Sequence, residues 1–494
     1  MDLPLPVRDA ARMSSEKPLL TALAAAMAAV LLSVVPVKGT GESPGAEVRI
    51  LFTGDILLSR GVETQLSHNA QSLARALNPI LSGADLAVGN LEGAAGSLDD
   101  CLESAGQAPC FPVREEFLPL LRSAGFKAIG LANNHSSDLG PAARQKTLRL
   151  LGQSDLVGLT FEESPQFFRS GNLVIGIVSL SLIPGRGEQA MDIPNIDLRQ
   201  KLRLAKSISN LVVVYIHWGS EFLDWHDTRQ RQAADWLIAN GADIIVGHHP
   251  HMVQKPACLH GKIVFYSLGN FVFDQKYPST REGMIAACRI RHQTVSCSGL
   301  LTKTPEGTKL PVLNGIDSEA EKVLSGCLLT LSPPLSVNGI TLRPSDTPAK
   351  SNVRGLSLEA VRGGKVLWKT RHAGIVSMET MKVSAPQAAD YLFTLERHFS
   401  PMDGEEGLRP CVYEVRPDGL VPKWRGTALA WPLLDAVMLP GDNGILCARH
   451  RGDSFIVPRP GSKERRIAAY RWKGFGFSGI DDPASVGCSE ALFK

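Results

Sequence analysis

Gly241-Ala242-Asp243-Ile244-Ile245-Val246-Gly247-His248-His249-Pro250-His251 is the stretch on which the reading of this chain turns. Its apolar run, Ala242 to Val246 between two glycines, has the length and β-branched content of a buried strand. Three histidines in four positions then stand at the strand's end. An unpaired imidazole is costly to bury, and neutral imidazole is the commonest side-chain ligand for borderline metals. His249-x-His251 brings two rings out of one loop toward one side, so matching ligands are expected at other strand ends.

Working outward, the same rhythm recurs. Val48 to Thr53 and Ala84 to Val88 read as strands, with a helical pattern between them from Val62 to Leu81. Arg114 to Ala124 reads as a helix, Phe126 to Leu131 as a strand, and Pro141 as the first-turn proline of a helix reaching about Leu151. Leu173 to Leu180, Leu211 to Ile216 and Ile263 to Tyr266 are further apolar runs. Thr228 to Ala239 is a helix with Asn240-Gly241 as its stop. Fully apolar strands alternating with helices imply a central sheet covered on both faces, an α/β architecture. From about residue 286 the pattern changes to short β-like runs. Residues 332–352 are rich in Pro, Ser and Thr and read as a linker. The remainder, with runs such as Gly364 to Trp368, Gly444 to Ala448, Phe455 to Val457 and Ile467 to Phe477, reads as a β-rich region. No internal repeat is visible.

Polar residues of ligand type recur at the strand ends: Gly54-Asp55 with Arg60; Asn90-Leu91-Glu92-Gly93; Asn133-Asn134-His135 with Asp138; His217-Trp218-Gly219 with Glu221; and Ser267-Leu268-Gly269-Asn270. Ligands of open α/β sheets collect outside the carboxyl ends of strands, so these segments are expected to meet. Mixed carboxylate, amide and imidazole donors suit Zn, Mn or Fe rather than Ca. Asp55 reads as a ligand in preference to a helix N-cap. Capping is the better reading for Asn133. His135, between Asn134 and Asp138, suits a general acid. Adjacent residues point in different directions, so His249 and His251 are favoured as metal ligands and His248 as loop support. Asp138 and Glu221 suit carboxylates that orient ligand rings. For Arg60, holding an anionic group and pairing at the surface both stay open.

Bulk composition narrows the alternatives. At 494 residues, with 44% hydrophobic and 20% charged residues, the chain holds more than one domain. A net charge of +3 gives no footprint for nucleic acid. Neither a phosphate-binding P-loop nor a dinucleotide fingerprint is present. Arg8, Arg12 and Lys17 precede the uncharged stretch Pro18 to Val37, the layout of an export signal that is also long enough to span a bilayer. Val35-Pro36-Val37 makes a poor cleavage site, which favours an uncleaved anchor over a removed signal peptide. The basic flank keeps residues 1–17 cytoplasmic and places the bulk outside the membrane. Nine cysteines without a C-x-x-C suit an oxidising compartment. Cys101 with Cys110 and Cys288 with Cys297 are candidate local bridges, and the odd count leaves at least one cysteine over.

Taken in order, these motifs resemble the CapA-type proteins of poly-γ-glutamate capsule synthesis, which are similar to calcineurin-like metallophosphoesterases. The resemblance implies a four-layer α-β-β-α sandwich with a metal centre at one sheet edge, followed by the β-rich C-terminal region. It implies Asp55, Glu92, Asn134, His217, His249 and His251 as metal ligands and His135 as the acid for the leaving group. Arg60, Asn90, Asp138, Glu221, His248 and Asn270 then support those ligands or hold substrate. Leu57 stands where the phosphoesterases carry a further histidine ligand, so one divalent transition ion (Mn, Zn or Fe) or a rearranged pair is expected. The expected layout is 1–17 cytoplasmic, 18–37 anchor or signal, 38–46 tether, 47–300 metallophosphoesterase-like domain, 301–352 extension and linker, and 353–494 β-rich region. Two function classes follow: a membrane-held, extracytoplasmic metal-dependent hydrolase acting on an anionic polymer or phosphoester, and a non-catalytic accessory or export subunit of a polymer synthase complex. Fold and motif set a site but not its substrate.

Overall fold

The computed structural model describes residues 34–36, 47–104, 109–345, 356–372, 374–383, 389–400, 405–426, 429, 433–441, 444–452 and 465–493. Two sheets dominate the first part. A seven-stranded sheet has a parallel centre of Leu173–Ser181, Leu211–His217, Ile244–His248 and Lys262–Phe265. A nine-stranded sheet contains the parallel set Val48–Ile56, Leu86–Leu91, Ala128–Gly130 and Val157–Leu159. It continues antiparallel on its other side through Glu282–Arg291, Thr294–Lys303 and Val312–Ile316.

The fold is mixed α/β, and the strands that by their pattern alone implied a central sheet are divided between two sheets. A strand buried on both faces does not announce whether a helix or another sheet covers each face. Here Ile50, Phe52 and Val88 of the larger sheet pack against Ile177, Val213, Tyr215 and Val246 of the smaller one. Their neighbours Ile56, Ala87 and Ile129 turn the other way, onto Leu66, Leu73, Leu77, Leu121 and Leu151 from helices. Val178, Val212, Val214 and Ile245 likewise meet Leu198, Leu202, Ala205, Ala234 and Leu237 of the helices Ile196–Ile208 and Thr228–Ala239. Each buried aliphatic side chain contributes roughly 1.5–3 kcal/mol relative to exposure.

Local signals explain most boundaries. Asp227 and Gln230 form a reciprocal capping box at the start of Thr228–Ala239. The pattern across Val62 to Leu81 is interrupted at Asn69-Ala70 and gives two helices, Arg60–His68 and Gln71–Leu81. Helix Ile196–Ile208 has no clean apolar stripe because Arg199 and Gln200 are buried on it as well. Its second face docks onto the C-terminal region, where Gln200 and Arg203 bond to Asp435.

Most of the apolar stretch 18–37 and all of the tether 38–46 lie outside the described residues. Val34–Pro36 is placed as a short strand against Gln166–Ser170. Among the described residues no helix is long and apolar enough to cross a membrane. Residue 300 falls within Thr294–Lys303, and Leu329–Thr330 pairs with that strand again, so the larger sheet reaches into the expected extension. Ile340–Pro344, inside the expected linker, pairs with Leu356–Arg362. Among the described residues it belongs to the first of three successive four-stranded antiparallel sheets. Phe455 to Val457 lies outside the described residues. Cys101–Cys110 and Cys288–Cys297 are joined, as are Cys258–Cys327 and Cys447–Cys488, leaving Cys411 buried and free.

Candidate metal centre

Because the strands run parallel, their carboxyl ends finish together, and the two sheets finish at the same end of the molecule. Register places Asp55 beside Asn90, Asn90 beside Gly130, and His217 beside His248. Close backbone approach is built in. A Cβ at Gly54 would lie 2.0 Å from the Gly269 carbonyl oxygen, and one at Gly247 would lie 2.0 Å from that of Tyr266. Any side chain at either position would push the strands apart. His249 and His251 are held at φ 99 and φ 56, conformations that non-glycine residues adopt rarely and mostly at functional sites.

The side chains from the two sheets interlock. Asn90 Nδ2 donates to Asp55 Oδ1 at 2.8 Å, and the His249 amide donates to Asp55 Oδ2 at 3.2 Å. His217 Nε2 faces Asn134 Oδ1 at 2.8 Å and His249 Nδ1 at 3.1 Å, while its Nδ1 faces Asn90 Nδ2 at 3.3 Å. His251 Nδ1 lies 2.9 Å from Asn270 Oδ1 and 3.5 Å from Asp55 Oδ2. Glu92 lies at the centre, 3.9 Å from His217 Nε2 and 4.0 Å from His251 Nε2. Both of its carboxylate oxygens are buried without a hydrogen-bond partner. Asp55, Glu92 and His217 each place one ligand atom within 4.8 Å of the others.

Electrostatics make this cluster expensive in the absence of a cation. Burial pushes Asp55 up to about 7, although Asn90 and the His249 amide pull it down. Glu92 is held well above the usual carboxylate range, first by burial and then by the charge of Asp55. Burial drives His249 down to about 3 and His248 and His251 to about 4, and it takes His217 well below its ordinary value. The imidazoles are therefore neutral and present lone pairs among oxygens that resist ionising. The donor set suits a divalent transition ion: carboxylate, amide oxygen and imidazole converge, with an orphaned carboxylate in the middle.

Around this core the remaining expected residues take distinct places. His135 Nδ1 lies 3.0 Å from Asp138 Oδ2, and Asp138 is pinned by the Phe111 amide at 2.8 Å. Asn133 donates to Asn90 Oδ1 and to the Leu91 carbonyl, and its own Oδ1 accepts from the His135 amide. His248 Nε2 lies 3.1 Å from the Thr53 carbonyl, and its ring packs on Tyr215. It ties the two sheets together rather than joining the cluster. Arg60 pairs with Asp274 and lies over the rings of Phe111 and Phe273. Glu221 is not brought into the cluster. It is exposed and acts on Glu92 only through space. The rings of Phe222 and Phe273 border His251 at 6.3 Å and 4.9 Å, and that of Phe111 borders His135 at 4.1 Å. Nothing in a lone phenylalanine signals such a position, although Phe273-Asp274 follows the Asn270 motif directly.

The family profile described as bacterial capsule synthesis protein PGA_cap matches residues 49–275, the segment that carries every residue of the cluster. The chain is 30% identical over 281 residues to the "PGA biosynthesis protein CapA" of Bacillus subtilis, covering 53% of this chain and 73% of that one. It is 28% identical over 306 residues to the "Capsule biosynthesis protein CapA" of Bacillus anthracis, covering 58% and 74%. It is also 23% identical over 309 residues to a "Probable polyglutamine synthesis accessory protein" of Mycobacterium tuberculosis, covering 50% and 80%. With the strand-end motifs in order and their side chains converging, the chain belongs to the bacterial capsule synthesis protein family, the CapA-type proteins.

Proposed function

We propose that this chain acts in capsule or poly-γ-glutamate biosynthesis, and that its histidine-carboxylate cluster is a metal-dependent, phosphoesterase-like hydrolase site. The single observation behind the site reading is Glu92, a carboxylate buried at the meeting of two sheets with neither oxygen hydrogen-bonded. An uncompensated buried carboxylate costs several kcal/mol, which a bound cation offsets. The layering of helices, sheet, sheet and helices supports reading the fold as the four-layer metallophosphoesterase-like sandwich.

Asp55, Glu92, Asn134, His217, His249 and His251 would hold one or two divalent transition ions, with Mn, Zn and Fe the suitable metals. Such an ion supplies Lewis acidity and charge neutralisation at the reacting group. Asn90 orients Asp55, and Asn270 orients His251, through the hydrogen bonds described above. Asp138 accepts from His135 Nδ1, which fixes the ring and leaves Nε2 to carry the proton given to the leaving group. Phe111, 4.1 Å from the His135 ring, shields that proton from bulk water on one side. The basic flank and apolar stretch at residues 8–37 support placement at the membrane with the bulk extracytoplasmic.

One observation favours a second reading. Leu57 is fully buried against Phe111 and Phe273, where the phosphoesterases carry a ligand histidine. The mycobacterial relative's name, an accessory protein, accords with a non-catalytic subunit of a synthase or export complex. Turnover of a phosphodiester panel with added Mn, compared between the native chain and His251→Ala, separates the two. Turnover abolished by the substitution supports the hydrolase. Uniform inactivity in a metal-replete native protein supports the accessory subunit.

A further inference from the structure

The β-rich region, outside the residues 49–275 that the family profile matches, carries a second group of metal-type donors. Glu396 and His398 lie on the strand Ala389–Ser400, and Cys411 lies on the neighbouring antiparallel strand Glu405–Arg416. One ligand atom from each lies within 4.8 Å of those of the other two. Residues two apart on a strand share a face, which puts Thr394, Glu396 and His398 together, and Thr394 is paired with Cys411 across the ladder.

Each donor is set up for a cation in its own way. Cys411 is the one cysteine of the nine that is in no disulfide, and it is buried. Burial, and then the charge of Glu396, pushes its thiol up to about 12, against hydrogen bonds from the Tyr413 hydroxyl and the Gly426 amide that favour the thiolate. A coordinated divalent ion displaces that proton outright. Glu396 is buried, and its Oε1 accepts from Thr394 Oγ1 at 2.6 Å and from the Tyr413 hydroxyl at 3.0 Å, which fixes the carboxylate. His398 Nδ1 lies 3.2 Å from the Phe399 carbonyl oxygen. A carbonyl only accepts, so Nδ1 carries the ring proton and Nε2 presents a lone pair, the arrangement usual for a metal-bound histidine.

We propose that Glu396, His398 and Cys411 form a second metal site, one that takes zinc. A thiolate selects a softer ion than the oxygen-rich cluster at the strand ends, and cysteine, histidine and carboxylate are all zinc donors. Bonds of about 2.0–2.3 Å put tetrahedral donors about 3.5 Å apart, so a small turn of His398, the least buried of the three, closes the set. Glutamate and thiolate together neutralise the ion. That suits a neighbourhood in which Arg409 stands opposite Glu396 and the charge of Arg425 acts on Cys411. Three protein ligands leave a fourth position to water, and the ion exchanges more readily than one held in the buried strand-end cluster.

Cobalt(II) is the probe, since a thiolate bound to it gives a near-ultraviolet charge-transfer band and Cys411 is the one thiol able to supply it. The full chain, prepared without reductant, is first assayed for its free thiol in denaturant. It is then titrated with cobalt beside Cys411→Ser, His398→Ala and His251→Ala, with thermal denaturation to check that the variants fold. The band is expected in the native chain and in His251→Ala, to be bleached by zinc, and to be absent from Cys411→Ser. His398→Ala should need at least about 10–100-fold more cobalt to develop it. No band in the native chain, no free thiol, or a titration unchanged in His398→Ala would each overturn the proposal. A band in a protein whose strand-end cluster binds nothing would leave this site standing and remove the hydrolase reading.

Discussion

Replacing Asp55 by asparagine isolates the electrostatic cost on which the metal reading depends. Asp55 is fully buried, and burial raises its pKa from the ordinary 3.8 to about 7. A carboxyl raised on folding contributes stability that is fully present below the unfolded value and is lost as pH rises through the folded value. The gap amounts to an upper limit of about 4 kcal/mol lost by the metal-stripped native protein between about pH 4 and pH 8. Asparagine cannot ionise, so Asp55→Asn escapes that loss. Its new amide group opposes the Asn90 amide, but that penalty is the same at every pH. Urea denaturation in chelator at the two pH values is the assay. The stability difference, variant minus native, is expected to shift in the variant's favour by up to about 4 kcal/mol as pH rises. Saturating Mn should restore the advantage of the native chain, because only it keeps the full ligand set. An equal difference at both pH values would refute the reasoning, since Asp55 would then carry no buried-charge cost.

His135→Ala should lower turnover of a responsive phosphodiester by about 10²–10³-fold while leaving metal content unchanged, checked by steady-state kinetics and elemental analysis. Asp138→Asn should cost about tenfold, since it frees the His135 ring without removing it. His248→Ala should destabilise the protein by about 2–3 kcal/mol in thermal denaturation yet retain the metal, because the ring bonds the Thr53 carbonyl and packs on Tyr215 outside the cluster. Removing Cys447–Cys488 by a double serine substitution should cost about 2–4 kcal/mol and sensitise the last sheet to protease before the metal-bearing part.

The strand-end motifs were legible because each couples an unmistakable apolar run to polar residues that a core would reject, as at Ile244 to His251 and at Val48 to Asp55. What covers each strand was not legible. Val212 and Val213 are equally apolar, yet one meets a helix and the other a second sheet. Helix Ile196–Ile208 was hidden because both of its faces are buried, so Arg199 and Gln200 interrupt the stripe that reveals a surface helix. Local bridges such as Cys101–Cys110 follow from spacing, whereas Cys258–Cys327 spans 69 residues and depends on the fold. The three C-terminal four-stranded sheets repeat a topology without a visible sequence period, since antiparallel pairing constrains alternation more than residue identity. The aromatic rim escaped for a related reason: Phe111, Phe222 and Phe273 come from separate loops and gain meaning only from proximity.

If the Asp55, Glu92 and histidine cluster is a metal centre, the purified chain carries metal. The full chain, purified without chelator and dialysed against metal-free buffer, is measured by elemental analysis beside His217→Ala and Glu92→Ala. The native chain is expected to hold at least one Mn, Zn or Fe ion tightly, and both variants to lose most of it. A native chain that holds none after incubation with these metals, or variants that hold as much as the native chain, would contradict it.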